Sequence, residues 1–383
     1  MIDFKLTDEQ HQVKEWAHEF AEREIRPVAA HYDECEETPW EVLKKAAKQG
    51  FLSYGIPEEY GGGGLTGSVT HLLITEELFW GCAGIATAMM INGLAAMPIV
   101  MMGNEAQKRK YLPRFCDGDK LHLGAYALTE PEAGSDAASI KTRLVRKQDR
   151  YVLNGQKRFI TNGGIADTYV VFATEDPSQG YAGISACVVE AGWSGVKAGK
   201  KERKMGIRAS HTGDVIFEDV EVPCENLLGQ PGHGFIGAMR VFEATRPGVA
   251  AGAVGVARAA YEYALQYAKE RVQFGKPIVS KQAVRFMLAD MLMQIDAARL
   301  LAWRAGWLLD QGQPNNLEAS LAKAFAADMA QKVTSDAVQI LGGYGYMRDY
   351  PVEKWMRDAK ILQIYEGTSQ IQRVVISQIL AAE

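Results

Sequence analysis

"RYVLNGQKRFITNGG", residues 150–164, decides the fold class, because it places β-rich sequence in the middle of a chain that is otherwise helical. Asn154-Gly155 stands between two runs of strand-forming residues, which predicts a tight hairpin turn. "TYVVFAT", "GISACVVE" and "DVIFEDVEV" follow at short spacings, with turn residues between them. Short strands spaced in this way are typical of a small antiparallel sandwich or barrel, and not of a βαβ repeat.

The sequence on both sides of this region has helical periodicity. "TDEQ", residues 7–10, is a capping box that opens the first helical run. After "GFIGAMRVFEATRPG" the helical period returns, with a long helix over 247–271 and a break at Gly342-Gly343. We therefore predict an α+β multi-domain chain: an N-terminal α-helical domain over 1–120, a middle antiparallel β-sandwich or barrel over 121–228, and a C-terminal four-helix bundle over 229–383.

Composition narrows the function classes. The 383 residues are 47% hydrophobic, which is enough for a large core. A net charge of -5 argues against a nucleic-acid partner. The five cysteines are scattered without a CxxC pair, so we expect neither a disulfide framework nor a zinc knuckle. No HExxH spacing occurs either, and no metal site is expected.

The chain start and the hydropathy give expectations about location. "MIDFKLTDEQ" matches neither a signal peptide nor an Arg-rich transit peptide. We find no run of about 18 apolar residues and expect no membrane span. The protein is expected to be cytoplasmic if bacterial, or to be in the mitochondrial matrix if it is a mature eukaryotic chain.

Three short segments carry weak signals when each is taken alone. "GGGLTG", residues 62–67, has GxGxxG spacing, but the proline and paired acids before it favour a flexible turn over a dinucleotide-binding loop. "YALTEPEAGSD", residues 126–136, is by itself a polar loop, although its N–H and hydroxyl groups suit a flat polar ring. "RFIT", residues 158–161, places the Thr161 hydroxyl at a strand end.

A resemblance to a known family rests on five segments that occur in order: "YALTEPEAGSD", "GQKRFITNGG", "ERVQFGKPI", "QILGGYGY" and "PVEKWMRDAKILQIYEGTSQIQR". Together they resemble the acyl-CoA dehydrogenase family, and its medium-chain branch most of all. The resemblance implies an FAD cofactor between the β domain and the C-terminal bundle, and an acyl-CoA substrate. It also implies an electron-transferring flavoprotein as electron acceptor and a homotetramer built as a dimer of dimers.

The resemblance also implies which residues contact FAD. In the β domain these are Tyr126, Ala127, Leu128, Thr129, Ser135, Phe159, Ile160 and Thr161. In the C-terminal domain they are Arg271, Gln273, Phe274, Gln282, Gln339, Ile340, Leu341, Gly342, Gly343, Thr368, Ser369 and Gln370. Thr161 matches the residue near flavin N5, and Phe159 stands where many members have Trp. Arg271 and Gln273 match contacts from a neighbouring subunit, although Val272-Gln273 departs from the commoner pair of residues.

Glu366, in "QIYEGTSQIQR" (363–373), matches the catalytic base of the family. Removing the weakly acidic α-proton of a thioester needs a partly desolvated carboxylate of raised pKa and donors for the developing oxyanion. Some relatives take the base from the position of Thr245, which cannot serve. The resemblance assigns substrate contacts to Ser135, Glu243, Arg246, Tyr365 and Gly367.

Several alternatives stay open at this point. The enzyme could act on branched or cyclic acyl-CoA thioesters, it could be an oxidase, or the chain could be a non-catalytic helical scaffold. A dicarboxylate substrate is disfavoured because "GIATAMMINGLAAMP", residues 84–98, contains no charge to pair with a second carboxylate. Met89, Met90 and Met97 in this segment predict an apolar, deformable wall or ordinary core packing.

Overall fold

The amino-terminal part of the chain is helical in the computed structural model, which describes residues 5–382. Residues 1–4 and 383, at the outer ends of the first and third predicted domains, lie outside the described residues. The α-helices of this part are α1 (Asp8–Phe20), α2 (Ala29–Cys35), α3 (Trp40–Lys48), α4 (Ser68–Gly81), α5 (Ala83–Met102) and α6 (Glu105–Cys116).

The first helix begins as the sequence predicts and is deformed near Pro27. The Thr7 hydroxyl accepts from the Gln10 N–H, and the Gln10 side chain accepts from the Thr7 N–H, so the capping box is formed. After Phe20 the chain widens into a π-helical turn, Ala21–Ile25, and tightens into a 3₁₀ turn, Arg26–Val28. The missing N–H of Pro27 is accommodated by this change of helix type, and α2 follows directly.

Helix α5 corrects the expectation that no apolar run is long enough to cross a membrane. Within residues 5–382 it is the one helix that is long and apolar enough to cross a membrane. Yet 61% of its most apolar 18-residue stretch is buried inside the protein. It packs against α4, α6, α7 and the first strand of the sheet, and a core helix of this kind has the same composition as a membrane span.

The middle of the chain forms an eight-stranded sheet. Its strands are β1 (Gly124–Ala127), β2 (Arg143–Lys147), β3 (Arg150–Thr161), β4 (Thr168–Thr174), β5 (Ile184–Glu190), β6 (Val196–Lys201), β7 (Thr212–Pro223) and β8 (Leu227–Leu228). The strand order is β6-β7-β3-β2-β4-β5-β8, with β1 paired to β4. Most neighbours are antiparallel, as predicted, whereas β1 and β4 run parallel and β2 meets β4 in parallel at a single residue pair.

The predicted hairpin turn at Asn154-Gly155 is wrong. β3 continues through these residues, and the turn lies six residues earlier, between Lys147 and Arg150. Asn154-Gly155 instead marks a register shift against β7. The Asn154 amide exchanges hydrogen bonds with the Asp219 side chain and N–H at 3.0 and 2.8 Å. Gly155 has φ +151°, and a Cβ there would lie 2.5 Å from the Thr142 hydroxyl, so the β-bulge requires glycine.

The carboxy-terminal part is a helical bundle. It contains α7 (Gly234–Glu270), a small hairpin of β9 (Val272–Gln273) and β10 (Lys276–Pro277), α8 (Gln282–Asp310), α9 (Asn316–Leu341), α10 (Val352–Ala359) and α11 (Ser369–Ala382). α9 packs against α7, α8 and α11. It ends at the predicted break, where Gly342 has φ +62°.

The two helical parts of the chain share one core. A single cluster of buried apolar residues extends from Ala17 to Leu362 and includes helices from both parts. α4 lies directly on α7, and a Cβ at Gly255 would be 2.2 Å from the Glu76 carbonyl oxygen. The small residues of α7 thus allow α4 to approach closely.

A buried ionic cluster also joins α1, α4, α7 and α8. The Arg258 guanidinium donates to Glu76 at 2.7 Å and to Glu77 at 2.8 Å, and Arg299 donates to Glu76 at 2.9 Å. His18 contacts the Glu77 carboxylate at 2.8 Å. Both carboxylates are almost fully buried, so they require these cationic partners.

Candidate active site

A cavity of about 430 Å³ lies where the N-terminal helices, the sheet and the bundle meet. Its walls come from α4, α5 and α7, from the end of β1, from the end of β3 and from the turn before α11. Most of the lining is apolar and includes Met89, Met90 and Met97, as the sequence predicts. Glu366 is the only carboxylate among the lining residues that the structure describes, and no Lys or Arg lines the cavity there.

Glu366 is held at this cavity by α7. The Thr245 hydroxyl donates to Glu366 Oε2 at 2.8 Å. Both residues line the cavity and both are half-buried. Burial raises the pKa of Glu366, and the Thr245 hydrogen bond and the charges of Lys323 and Arg246 oppose that rise. The result is a poorly hydrated carboxylate with increased basicity.

The turn that carries Glu366 has unusual backbone geometry. Glu366 has φ +52° and Gly367 has φ +88°, so two consecutive residues are left-handed. This conformation is costly for a residue with a Cβ and is found where surrounding contacts enforce it. The Gln372 side-chain amide donates to the carbonyls of Glu366 and Gly367 at 3.2 and 3.0 Å. The turn is therefore fixed by the helix that follows it.

The capping residue of α11 is Thr368. The Thr368 hydroxyl accepts from the Ile371 N–H at 3.1 Å, whereas the Ser369 hydroxyl donates to Asp328 on α9 at 3.0 Å. A residue at the first helical position cannot cap its own helix. Because Thr368 is the cap, α11 begins directly after the Gly367 turn.

Another part of the cavity wall is formed where β3 ends. Its register against β7 shifts between Lys157 and Ile160, and inside that bulge Phe159 has φ +58° and is 57% exposed. The Lys157 ammonium donates to the Leu128 carbonyl at 2.9 Å and to Glu130 at 2.7 Å. These bonds join the bulge to the 126–130 segment, so both sequence motifs reach the cavity as one rigid wall.

The cavity contains a buried hydroxyl without a partner. Tyr126 is 8% exposed, and its hydroxyl makes no hydrogen bond within the described part of the chain. Burial raises the pKa of Tyr126 well above its usual value, so the phenol is neutral. An unpaired buried hydroxyl in a cavity wall indicates that a polar ligand completes the site.

A second cavity, of about 550 Å³, lies on the bundle surface near the β9–β10 hairpin. Its lining includes Tyr267, Arg271, Gln273, Tyr344 and the segment 340–343. The Arg271 guanidinium lies 5.2 Å from the centre of the Tyr344 ring. This combination of a cation, an aromatic ring and exposed glycines suits a phosphate and a flat base.

Comparison with known families matches all three parts of the chain. Residues 7–119 match the N-terminal domain of acyl-CoA dehydrogenases, residues 125–220 the middle domain, and residues 232–381 the C-terminal domain. The chain belongs to the acyl-CoA dehydrogenase family.

Relatives of known sequence and structure agree over the full length. An acyl-CoA dehydrogenase of Bacillus subtilis is 47% identical over 376 residues, covering 98% of each chain. Butyryl-CoA dehydrogenase of Megasphaera elsdenii is 45% identical with a TM-score of 0.96, covering 99% of this chain and 100% of that one. A chain solved in a study of the electron transferring flavoprotein of Acidaminococcus fermentans is 48% identical with a TM-score of 0.97, covering 100% of both.

As a member of the acyl-CoA dehydrogenase family, this protein is an FAD-dependent oxidoreductase. The FAD complex of PigA superimposes with a TM-score of 0.94 and 29% identity, covering 99% of each chain. The residues present fit the cofactor. The unpaired Tyr126 hydroxyl and the exposed Phe159 ring provide a polar and an aromatic contact for a flavin. Within residues 5–382, no group of three or more His, Cys, Asp or Glu side chains is placed to bind a metal ion.

The structure places most of the predicted site residues in one or the other of the two cavities. Those that line the first cavity are Tyr126, Leu128, Thr129, Phe159, Ile160, Thr161, Tyr365 and Glu366. Those that line the second cavity are Arg271, Gln273, Ile340, Leu341, Gly342 and Gly343.

The remaining predicted residues lie outside both cavities. Ala127 packs in the core of the sheet, and Ser135 is exposed on its loop. Phe274 is 92% exposed at the hairpin tip, and Gln282, Gln339 and Gln370 are exposed on their helices. Glu243, Gly367 and Thr368 are half-buried beside the Glu366 turn, where Arg246 and Ser369 are buried. Whether these residues contact FAD or substrate stays a prediction.

The contacts that two residues make with Glu366 and its turn were not predicted from the sequence. Thr245 was identified only as a position that cannot supply the base, although it is the hydrogen-bond donor to Glu366. Lys323 was not identified at all, and its ammonium donates to the Gly367 carbonyl at 2.5 Å. Both act from helices distant in sequence, and neither belongs to the five motifs. The signal in the sequence that could have indicated Lys323 is its position among the alanines of α9.

Proposed function

We propose that Glu366 removes the α-proton of an acyl-CoA thioester, so that the enzyme forms a trans-2-enoyl-CoA. The observation that carries this proposal is the position of Glu366. It is the only carboxylate lining the cavity within the described residues, it is poorly hydrated, and it shares this cavity with Phe159, Ile160 and Thr161.

The residues of the chain have separate tasks in this step. The Glu366 carboxylate accepts the α-proton, and its burial strengthens it as a base. Its backbone N–H is the donor that would stabilise the developing thioester oxyanion. Tyr365 and the methionines of α5 exclude water from the cavity. Bound FAD would supply the acceptor for the β-hydride.

The cavity supports a neutral, apolar acyl chain. Its wall from α5 is uncharged. His71, which also lines the cavity, is kept neutral because burial lowers its pKa, and this outweighs the hydrogen bond from its Nε2–H to the Leu65 carbonyl at 2.7 Å, which acts to raise the pKa. A dicarboxylate chain would leave its second carboxylate without a cation. We propose a short straight-chain acyl group, in keeping with the similarity to a butyryl-CoA dehydrogenase.

We further propose an electron-transferring flavoprotein as the acceptor and a homotetramer as the working form. Support for the acceptor comes from the similarity to the chain solved in the Acidaminococcus study. Support for assembly comes from large apolar side chains exposed along α8, with Phe286 60%, Met293 62% and Trp307 48% exposed. Apolar faces of this size on a soluble protein indicate a subunit interface.

The variant Glu366→Gln tests the central proposal. Gln keeps the size of the side chain and still accepts the Thr245 hydrogen bond, but it cannot take a proton. Anaerobic mixing with butyryl-CoA should give normal binding and a rate of flavin bleaching reduced at least about 100-fold. The matched control is Glu318→Gln on α9, a half-buried acid that pairs with Arg304 away from the cavity.

Near-normal single-turnover bleaching by Glu366→Gln would refute the assignment of the base. Turnover on butyryl-, octanoyl-, isobutyryl- and cyclohexanecarboxyl-CoA tests the proposed acyl group. A clear preference for isobutyryl- or cyclohexanecarboxyl-CoA would instead support the branched or cyclic alternative.

A further inference from the structure

Lys323 is a fully buried lysine that the proposed reaction does not use. It lies in the amino-terminal half of α9 with 0% of its surface exposed, and it does not line either cavity. Its ammonium donates to the Gly367 carbonyl oxygen at 2.5 Å. A buried ammonium loses its hydration, which is costly unless nearby groups compensate. A neutral side chain of similar length would fill this space at lower cost, so the charge calls for a physical explanation.

The charges around Lys323 include the proposed base. Burial lowers the pKa of Lys323 to about 8, while the Glu366 carboxylate acts to raise it, Arg246 to lower it and Asp328 to raise it. Asp328 already accepts from Arg373, Gln363 and Ser369. Glu366 is therefore the anion near Lys323 that lacks a direct ion pair of its own within the described residues.

Lys323 also acts on the backbone that carries Glu366. The carbonyls of Glu366 and Gly367 point toward α9 and α11, where Gln372 and Lys323 donate to them. These bonds hold two consecutive left-handed residues, a conformation that Glu366 would otherwise leave. Because the side-chain direction of Glu366 depends on this turn, the contact at Gly367 fixes the position of the carboxylate.

We propose that Lys323 is a positioning residue for Glu366, holding the Gly367 carbonyl so that the carboxylate faces the cavity and stabilising its ionised form by charge. The inference rests on the proposed role of Glu366 as the base. The charged and titratable groups that influence Glu366 are Lys323 from α9, Arg246 from α7, Tyr126 from β1 and the adjacent Tyr365. Arg246 is the second cation in this set, so removal of Lys323 weakens the support for the carboxylate without abolishing it.

The test is the pH profile of flavin reduction by butyryl-CoA in the Lys323→Met holoenzyme. Met preserves the length and apolar stem of lysine but removes the charge and the donor. We expect the midpoint of the profile to move upward by about one pH unit, because a nearby cation that favours ionised Glu366 is lost. We also expect the limiting rate to fall by about tenfold while the Kd for butyryl-CoA stays nearly constant, since Lys323 does not line the cavity.

Two further variants separate the effect of the Lys323 charge from that of its hydrogen bond to Gly367. Lys323→Gln keeps an N–H donor for Gly367 without the charge, so it should show the upward midpoint shift with a smaller loss of limiting rate. It also carries the test if Lys323→Met fails to retain FAD. The matched control is Lys204→Met, because Lys204 likewise donates to a backbone carbonyl, Ser210, at 2.7 Å, and burial lowers its pKa to about 8. Its profile should equal that of the wild type.

The inference is overturned if a Lys323 variant with full FAD content keeps the wild-type midpoint, or if Lys204→Met shifts it equally. Glu366→Gln is measured in parallel. Normal flavin reduction in Glu366→Gln would refute the proposed function itself. If flavin reduction is lost in Glu366→Gln but the Lys323 variant keeps the wild-type midpoint of the pH profile, only the role of Lys323 is refuted.

Discussion

The hydrogen bond between Thr245 and Glu366 gives a quantitative prediction. Thr245→Val replaces the hydroxyl by a methyl group of similar size, so the cavity keeps its shape while Glu366 Oε2 loses its donor at 2.8 Å. A hydrogen bond to a charged group contributes about 1.5–3 kcal/mol, and one pKa unit corresponds to about 1.4 kcal/mol. Loss of this bond to the carboxylate should therefore raise the pKa of Glu366 by roughly one to two units.

The direction of the kinetic effect follows from the chemistry. Glu366 acts as a base only when it is ionised, so flavin reduction by butyryl-CoA should rise with pH through the pKa of Glu366. In Thr245→Val that rise should occur roughly one to two units higher, with the limiting rate at high pH largely retained.

The assay is anaerobic stopped-flow bleaching of the flavin at saturating butyryl-CoA over a range of pH values. Thr245→Ser is the control, because it keeps the hydroxyl and should keep the wild-type midpoint. An unchanged or lowered midpoint in Thr245→Val would show that this hydrogen bond does not stabilise the ionised base.

Two other predictions concern the cofactor wall and the buried ionic cluster. Phe159→Ala should weaken FAD binding by roughly 2- to 10-fold in a fluorescence titration through loss of ring stacking, whereas Phe159→Trp should bind normally. Glu77→Gln should lower the free energy of unfolding at pH 7 by about 3 kcal/mol. Arg258 and His18 hold the pKa of Glu77 below its usual value despite burial, so wild-type stability should converge on that of the variant as pH falls through this depressed pKa, as measured by denaturant unfolding.

Much of the fold could be predicted from the sequence because local signals agree with it. The capping box at Thr7, the glycine break at Gly342 and the change from helical to β periodicity near residue 121 each act over a few residues. Asn154-Gly155 shows where local signals fail. The same dipeptide that favours a turn also suits a β-bulge, and the tertiary contact with Asp219 decides between them.

The candidate site could be predicted only in part, for the same reason. The motifs identify Glu366 and the 159–161 strand end, but the partners of Glu366 come from other helices. Thr245 lies 121 residues away, and Lys323 reaches the turn across 44 residues. Such pairings follow from helix packing, which no short segment encodes. Ser135 shows the reverse case, since its motif matches although its side chain is exposed in this structure.

The ionic cluster between α4 and α7 has a consequence for biosynthesis. Glu76 and Arg258 are separated by 182 residues, with the entire sheet between them. At a translation rate of about 5–20 residues per second, about 10–40 s pass between the synthesis of Glu76 and that of Arg258. Eleven residues of α4 that are buried in the finished protein also remain uncovered during that interval. Until α7 emerges, the nascent amino-terminal helices therefore expose apolar surface of the kind that chaperones bind.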